Sequence, residues 1–360
     1  MHSSLQIVKS RRDRLVARLH LSSHVCQLAW GAVIGAVTIA LSAAGPSGHI
    51  AKADQSSLNS VVAVPIRAQI ALGTCCATSL AWSPDGTLLA VGGGSALQFV
   101  RTSVASGAAT LATPAATRSR LSVPISVEAW SPDGRTIAAG SPDGLVRTFT
   151  PAGVLTGKLI GHAKAVTSVS WVTTGAGPLL ASGSSDATVR IWQSDNTLLT
   201  TIAGDGHPVV AVAWSSSETN HGNILAIATT AGVRLQYDSG RNLAALRSVG
   251  GNARVAFSPD GQTLATGSTD GMVRLWDLGA SLRATLTGRT AGVTSLAWSP
   301  DGTRLAVGST DRTVHVWSRA GGLLSSLGGF PGPVVSLSWS PSGKQLAAAA
   351  GDASVRILTL

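Results

Sequence analysis

Apolar residues in this chain come in short runs, each bounded by turn-forming residues, and the arrangement repeats over its last 300 or so positions. In residues 293–307, VTSLAWSPDGTRLAV, apolar positions flank a Ser-Pro-Asp-Gly turn on both sides. Proline presets φ at the second turn position, Asp tolerates the next, and Gly takes the positive φ that returns the chain as a neighbouring strand. A second turn follows at 308–313 and then a short apolar stretch, 314–317. The same order recurs at 140–149, 183–192 and 267–276. Such units have no room for a long helix. The pattern predicts an all-β domain.

The hexapeptide AWSPDG is written three times, at 81–86, 129–134 and 297–302, and weaker copies fill the gaps. The anchoring aromatics are Trp82, Trp130, Trp171, Trp214, Phe257, Trp298 and Trp339, separated by 41 to 48 residues. A period in the forties with about four short strands per unit is the signature of propeller blades. The count predicts a seven-bladed β-propeller of four-stranded blades over residues 61–360. The last unit stops one strand short, and the apolar stretch 61–70, VVAVPIRAQI, is expected to supply the missing strand, because a closed ring protects sheet edges. The first blade is the irregular one. It reads GGGSAL at 92–97 with no turn Asp, and residues 102–122 are rich in Ser, Thr and Ala, which predicts a poorly formed outer strand and a loop.

These repeats resemble the WD-repeat β-propeller family over roughly residues 60–360, and Trp276-Asp277 is a literal Trp-Asp pair closing one unit. The resemblance implies a bracing network of His, Ser or Thr, Asp and Trp within a blade. One unit has all four positions: His162, Ser182, Asp186 and Trp192. Elsewhere the His position holds Leu121, Ser248, Arg289 or Phe330, and His207 is displaced by two. The resemblance also implies a non-catalytic platform whose loops meet protein partners at a rim or at the mouth of the central channel.

The N-terminal region carries a different pattern. Residues 1–24 hold Lys9, Arg11, Arg12, Arg14 and Arg18 against the single acid Asp13, and residues 25–44 then run without a charge. That length suits a helix crossing a bilayer core of roughly 30 Å, preceding the propeller and placing it outside the cytoplasm. A cleaved signal peptide is the alternative, with the small-residue sequence AKA at 51–53 as the processing site and a secreted product. Residues 45–60 read as a polar linker. Membrane association is expected through this helix if it is retained.

Composition narrows the chemistry. The chain has 27 Lys+Arg and 17 Asp+Glu, of which residues 54–360 hold 21 and 16, so half of the net charge of +10 belongs to the N-terminal flank. Nucleic-acid binding would want clustered cations interleaved with spare aromatics. Here the tryptophans fall in two repeat columns, the anchors and Trp192, Trp276 and Trp317, and read as core. Most aspartates belong to the repeating turns, which leaves little for general acid–base work. Outside that register stand Glu128, Glu218, and Asp205 with His207. No metal site, phosphate loop or nucleophile elbow is written in the sequence, so neither a cofactor nor catalysis is expected. Adjacent Cys75 and Cys76 read as two small buried thiols, with a strained vicinal disulfide as the alternative outside the cytoplasm.

The sequence therefore predicts a scaffold for protein partners, with Phe330, Arg289 and His207 in a binding rim. An extracytoplasmic propeller binding an anionic polymer or lipid surface is the alternative. An enzyme in the central channel would need Asp205, His207 or Glu128 to converge there.

Overall fold

In the computed structural model, the described residues are 66–71, 77–105, 108–111, 118–219, 222–246, 253–287, 291–352 and 354–360. They form seven antiparallel sheets arranged as the blades of a propeller. Blade three shows the common plan: Val166–Thr174, Gly177–Ser184, Thr188–Gln193 and Leu198–Ala203 pair in chain order. Each blade's first strand lies against the first strands of the blades before and after it, all the way round. Seven first strands therefore wall the central channel, and each fourth strand lies outermost.

The ring closes as the strand deficit predicts. Blade seven holds Val334–Trp339, Gln345–Ala350 and Ser354–Thr359, and its fourth strand is Ile66–Ala71 from the start of the domain. That strand runs antiparallel to Ser354–Thr359, with Ile70 opposite Val355 and Ala71 opposite Ser354. Residues 61–65 of the predicted stretch lie outside the described residues. So do the segment 25–44 with its predicted hydrophobic helix, the linker 45–60, and Cys75 and Cys76. Among the described residues, no helix is long and apolar enough to cross a membrane.

Blade one departs where its sequence does. Its third strand, Ala96–Ala105, is ten residues long, and two segments share its outer edge. Ala108–Leu111 folds back on one half, Thr102 opposite Leu111, while the three residues Arg118–Arg120 pair the other half, Ala96 opposite Arg120. This sheet has five strands where the others have four.

The repeated tetrapeptide works as a self-contained turn. In blade one, Ser83 Oγ donates to Asp85 Oδ1 at 2.6 Å, the same oxygen accepts the Thr87 N–H, and Ser83 Oγ accepts the Leu88 N–H. Gly86 takes φ 71°, which a side chain would strain. Blades two and five repeat the bonds through Ser131 with Asp133 and Ser258 with Asp260. Strand alternation puts these turns, and those between third and fourth strands, at one end of every blade. The interblade loops and the turns between second and third strands gather at the other end.

The core lies between blades. Each anchor tryptophan reaches the preceding blade: Trp130 Nε1 donates to the Ala81 carbonyl, Trp171 to Ala129, Trp298 to Ala256 and Trp339 to Ala297, at 3.0 to 3.2 Å. Two seams differ. There Ser338 or Ser170 replaces the alanine, its hydroxyl accepts the backbone N–H of Trp82 or Trp214, and those two indole nitrogens have no partner.

Candidate functional site

The residues that the sequence singles out converge in one place only. In blade three, His162 enters on the loop before the first strand, Ser182 stands on the second strand, Asp186 in the turn after it, and Trp192 on the third strand. Trp192 Nε1 lies 2.8 Å from Ser182 Oγ, which lies 2.8 Å from His162 Nε2, while His162 Nδ1 lies 3.0 Å from Asp186 Oδ2. One set of protons satisfies all three bonds: indole to hydroxyl, hydroxyl to Nε2, and Nδ1–H to the carboxylate. Burial favours the neutral imidazole and moves the His162 pKa down, against the pull of Asp186. Burial pushes the Asp186 carboxyl up, but bonds from Thr188, the Ala163 amide and His162 outweigh it and hold the group well below its ordinary value. The tetrad is largely buried, joins a loop to two strands and the turn between them, and leaves no free nucleophile. It is a brace.

Of the expected rim residues, Phe330 and His207 stand in different interblade loops. Phe330, placed at the rim by its sequence context, is only 5% exposed and packs with Leu327 and Val334. The Arg356 guanidinium covers its ring at 5.0 Å and donates to the Gly329 carbonyl at 2.6 Å. Its ring fastens the loop between blades six and seven, and the apolar cluster beneath is the reason it turns inward. His207 is exposed in the loop between blades three and four, where its N–H is bonded to Asp205 Oδ1. Arg289 lies outside the described residues.

A second position recurs on the third strands: Arg147, Arg190, Arg234, Arg274 and Arg356, with Gln98 and His315 in the remaining two blades. Arg147 is buried and grips Asp143 with both terminal nitrogens, at 2.6 and 3.2 Å. Arg274 holds Asp270 in the same way at 3.2 Å, and Arg234 faces Asp205 at 3.8 Å. The first two are local pairs that fix turns, and the third ties the strand to the loop before its blade.

The acids named for catalysis stay apart. Asp205 lies beside Thr229 and Arg234, in the loop after blade three. Glu128 is buried between blades one and two, where Oε1 accepts the Gly92 N–H at 3.1 Å and Oε2 has no partner. Burial drives its pKa from 4.5 up to about 8. Other blades hold Leu80, Val169, Val212, Val255, Leu296 or Leu337 at this place. Gly92 is required here, because a Cβ would collide with the Glu128 carboxyl. Among the described residues, no group of three or more His, Cys, Asp or Glu is placed to hold a metal.

One residue with chemistry to offer escapes motif reading. Arg254 opens the innermost strand of blade five, Arg254–Phe257, three positions before the anchor Phe257. Ser79, Ser168, Ser295 and Ser336 take this place in four blades, each hydroxyl accepting an N–H from the next blade's first strand. The signal in the sequence is a cation at a position where the other blades write Ser, Ala or Val.

Comparison with known families finds the one described as IFT122 first beta-propeller over residues 124–360, and the one described as WD domain, G-beta repeat, over residues 72–97. No curated protein matches the chain.

Proposed function

Since the chain belongs to the WD-repeat β-propeller family, whose members are typically protein-interaction scaffolds, we propose that it is a non-catalytic scaffold presenting its ring outside the cytoplasm, tethered by residues 25–44 or secreted after their removal. The observation that carries the scaffold reading is the closed ring. The first and last segments of the domain share one blade, and every neighbouring pair of first strands is in contact. A platform so tied holds its loops in fixed relation, which is what a docking surface needs. Most aspartates in the repeats are taken up by turns, and His162 with Asp186 by the brace. The face of the interblade loops, where His207 is exposed, is the face offered to a partner.

The extracytoplasmic part rests on the charge asymmetry of residues 1–24 and the uncharged run that follows. Two experiments test the proposal. Affinity capture with the full chain, from lysate and envelope extract, should retain a small set of proteins at both low and high salt. Retention of polyanions alone, lost as salt rises, would replace the scaffold with a charged-surface binder. Fusions of alkaline phosphatase and of a green fluorescent protein to the C-terminus test location: phosphatase activity without fluorescence is expected, and the reverse pattern would put the propeller in the cytoplasm.

A further inference from the structure

In the stretches that lead to the seven anchor aromatics, SLAW, VEAW, VTSVSW, VVAVAW, RVAF, VTSLAW and VVSLSW, two residues are charged: Glu128 and Arg254. Glu128 points between blades and is sealed there. Arg254 points the other way round the ring. Its Nε donates to the carbonyl of Thr294 on the first strand of blade six at 3.0 Å, so the guanidinium bridges two innermost strands at the channel wall. Both residues stand at the start of their strands, which places the group near the channel end that carries the interblade loops.

Three features mark this cation. First, Arg147, Arg274, Arg234, Arg283 and Arg319 each face an aspartate, whereas Arg254, like Arg190 and Arg356, is in no ion pair among the described residues. Second, the group is half-buried: burial alone moves its pKa down, with no opposing contribution from a carboxylate. A desolvated cation without a counter-ion is unfavourable, and that cost is relieved when an anion arrives. Third, the bond to Thr294 uses Nε and fixes the plane of the fork, leaving Nη1 and Nη2 without a protein partner among the described residues. That is the pair of donors a carboxylate accepts in a bidentate contact.

We infer that Arg254 is the anchor of a carboxylate-binding site at the loop end of the central channel, filled by an Asp or Glu side chain of an inserted protein segment. This deepens the scaffold reading and rests on it. A protein segment is the occupant because the serine hydroxyls on the adjoining first strands are already bonded to backbone amides of neighbouring blades. Among the described residues they leave one fork and no ring of hydroxyl donors, which matches a single carboxylate better than a multiply charged phosphate.

The test is selection of a random peptide library on the full chain and on Arg254→Gln and Arg254→Lys, each first shown to melt like the parent. Peptides enriched on the parent should share an Asp or Glu at one fixed position. Changing that residue to Asn or Gln should weaken binding roughly ten- to a hundredfold, the value of a charge-assisted bond. Arg254→Gln should cause the same loss, and Arg254→Lys should recover only part of it. Enriched peptides without a fixed acid, or binding indifferent to Arg254→Gln, would overturn the carboxylate site and leave the scaffold standing. A library that yields no binder on any protein would overturn the scaffold and the site together. Inorganic phosphate is the second probe. If it shields Arg254 from phenylglyoxal as well as the selected peptide does at equal concentration, the site is a general anion site and the assignment to a protein carboxylate fails.

Discussion

Blade three and the seam between blades one and two both bury polar side chains, with opposite consequences. In blade three, Trp192, Ser182, His162 and Asp186 pass hydrogen bonds along one line, and each buried group finds its complement. At the seam, Glu128 replaces the Leu or Val of other blades; the Ser79 hydroxyl and the Gly92 amide favour its charged form, but burial outweighs both and Oε2 has no partner. The net value of a hydrogen bond is modest, but a buried group left unmade loses its full hydration. Polarity in the interior is thus neither good nor bad for the ring. Completeness decides.

The sharpest way to break this contrast is Ser182→Ala. It strips the Trp192 indole of its acceptor and His162 of its donor, and should lower stability by about 3 kcal/mol. Thermal and urea melts of the variant measure this, and an unchanged midpoint would mean that the tetrad contributes nothing. The mirror experiment is Glu128→Leu, which restores the residue type of the other blades and should raise stability by about 4 kcal/mol at pH 8.

The pH dependence of that pair sharpens the comparison further. Folded Glu128 keeps its proton up to about pH 8, whereas the unfolded carboxyl loses it near 4.5. Between these values the native state holds more protons, so stability falls as pH rises, by up to about 1.4 kcal/mol per unit. Below 4.5 the effect is absent, and above 8 it adds nothing further. Denaturation midpoints of parent and Glu128→Leu should converge near pH 4.5 and separate towards pH 8. A constant gap would show that the carboxyl is not titrating.

The smallest effect lies in blade six, which stands between the two cases. Val307 occupies the place of Ser182, and the Trp317 indole nitrogen has no partner there, although Thr266 serves Trp276 at 2.9 Å in blade five. Val307→Thr should supply the acceptor and gain about 0.5 kcal/mol, the lost methyl being more than offset. A lower melting midpoint would mean that the hydroxyl does not reach the indole.

Much of this architecture is legible before any coordinate is known. The turn chemistry of Ser-Pro-Asp-Gly and the spacing of the anchors fix seven blades, and the strand deficit at Leu360 calls for the strand at Ile66–Ala71. The tetrad is legible too, since its four members sit at repeat positions. Phe330 misled because an aromatic between glycines and prolines looks exposed, while its burial depends on Arg356, 26 positions further along the chain. Arg254 was hidden among the repeats for the opposite reason: no motif marks it, and its interest comes from charges that are missing around it.

What the sequence determined by itself is periodic. Local turn geometry and the alternation of apolar positions act over a few residues, so they can be read along the chain. What only the tertiary structure decided is the fate of single side chains at the seams. The indole of Trp214 lacks a partner while that of Trp171 bonds the Ala129 carbonyl. Glu128 is sealed against the preceding blade and Arg254 reaches the Thr294 carbonyl of the next, though both stand on first strands and precede their anchors by two and three positions. Burial and partnership there are set by residues one blade away, about forty positions along the chain, and no local rule reaches that far.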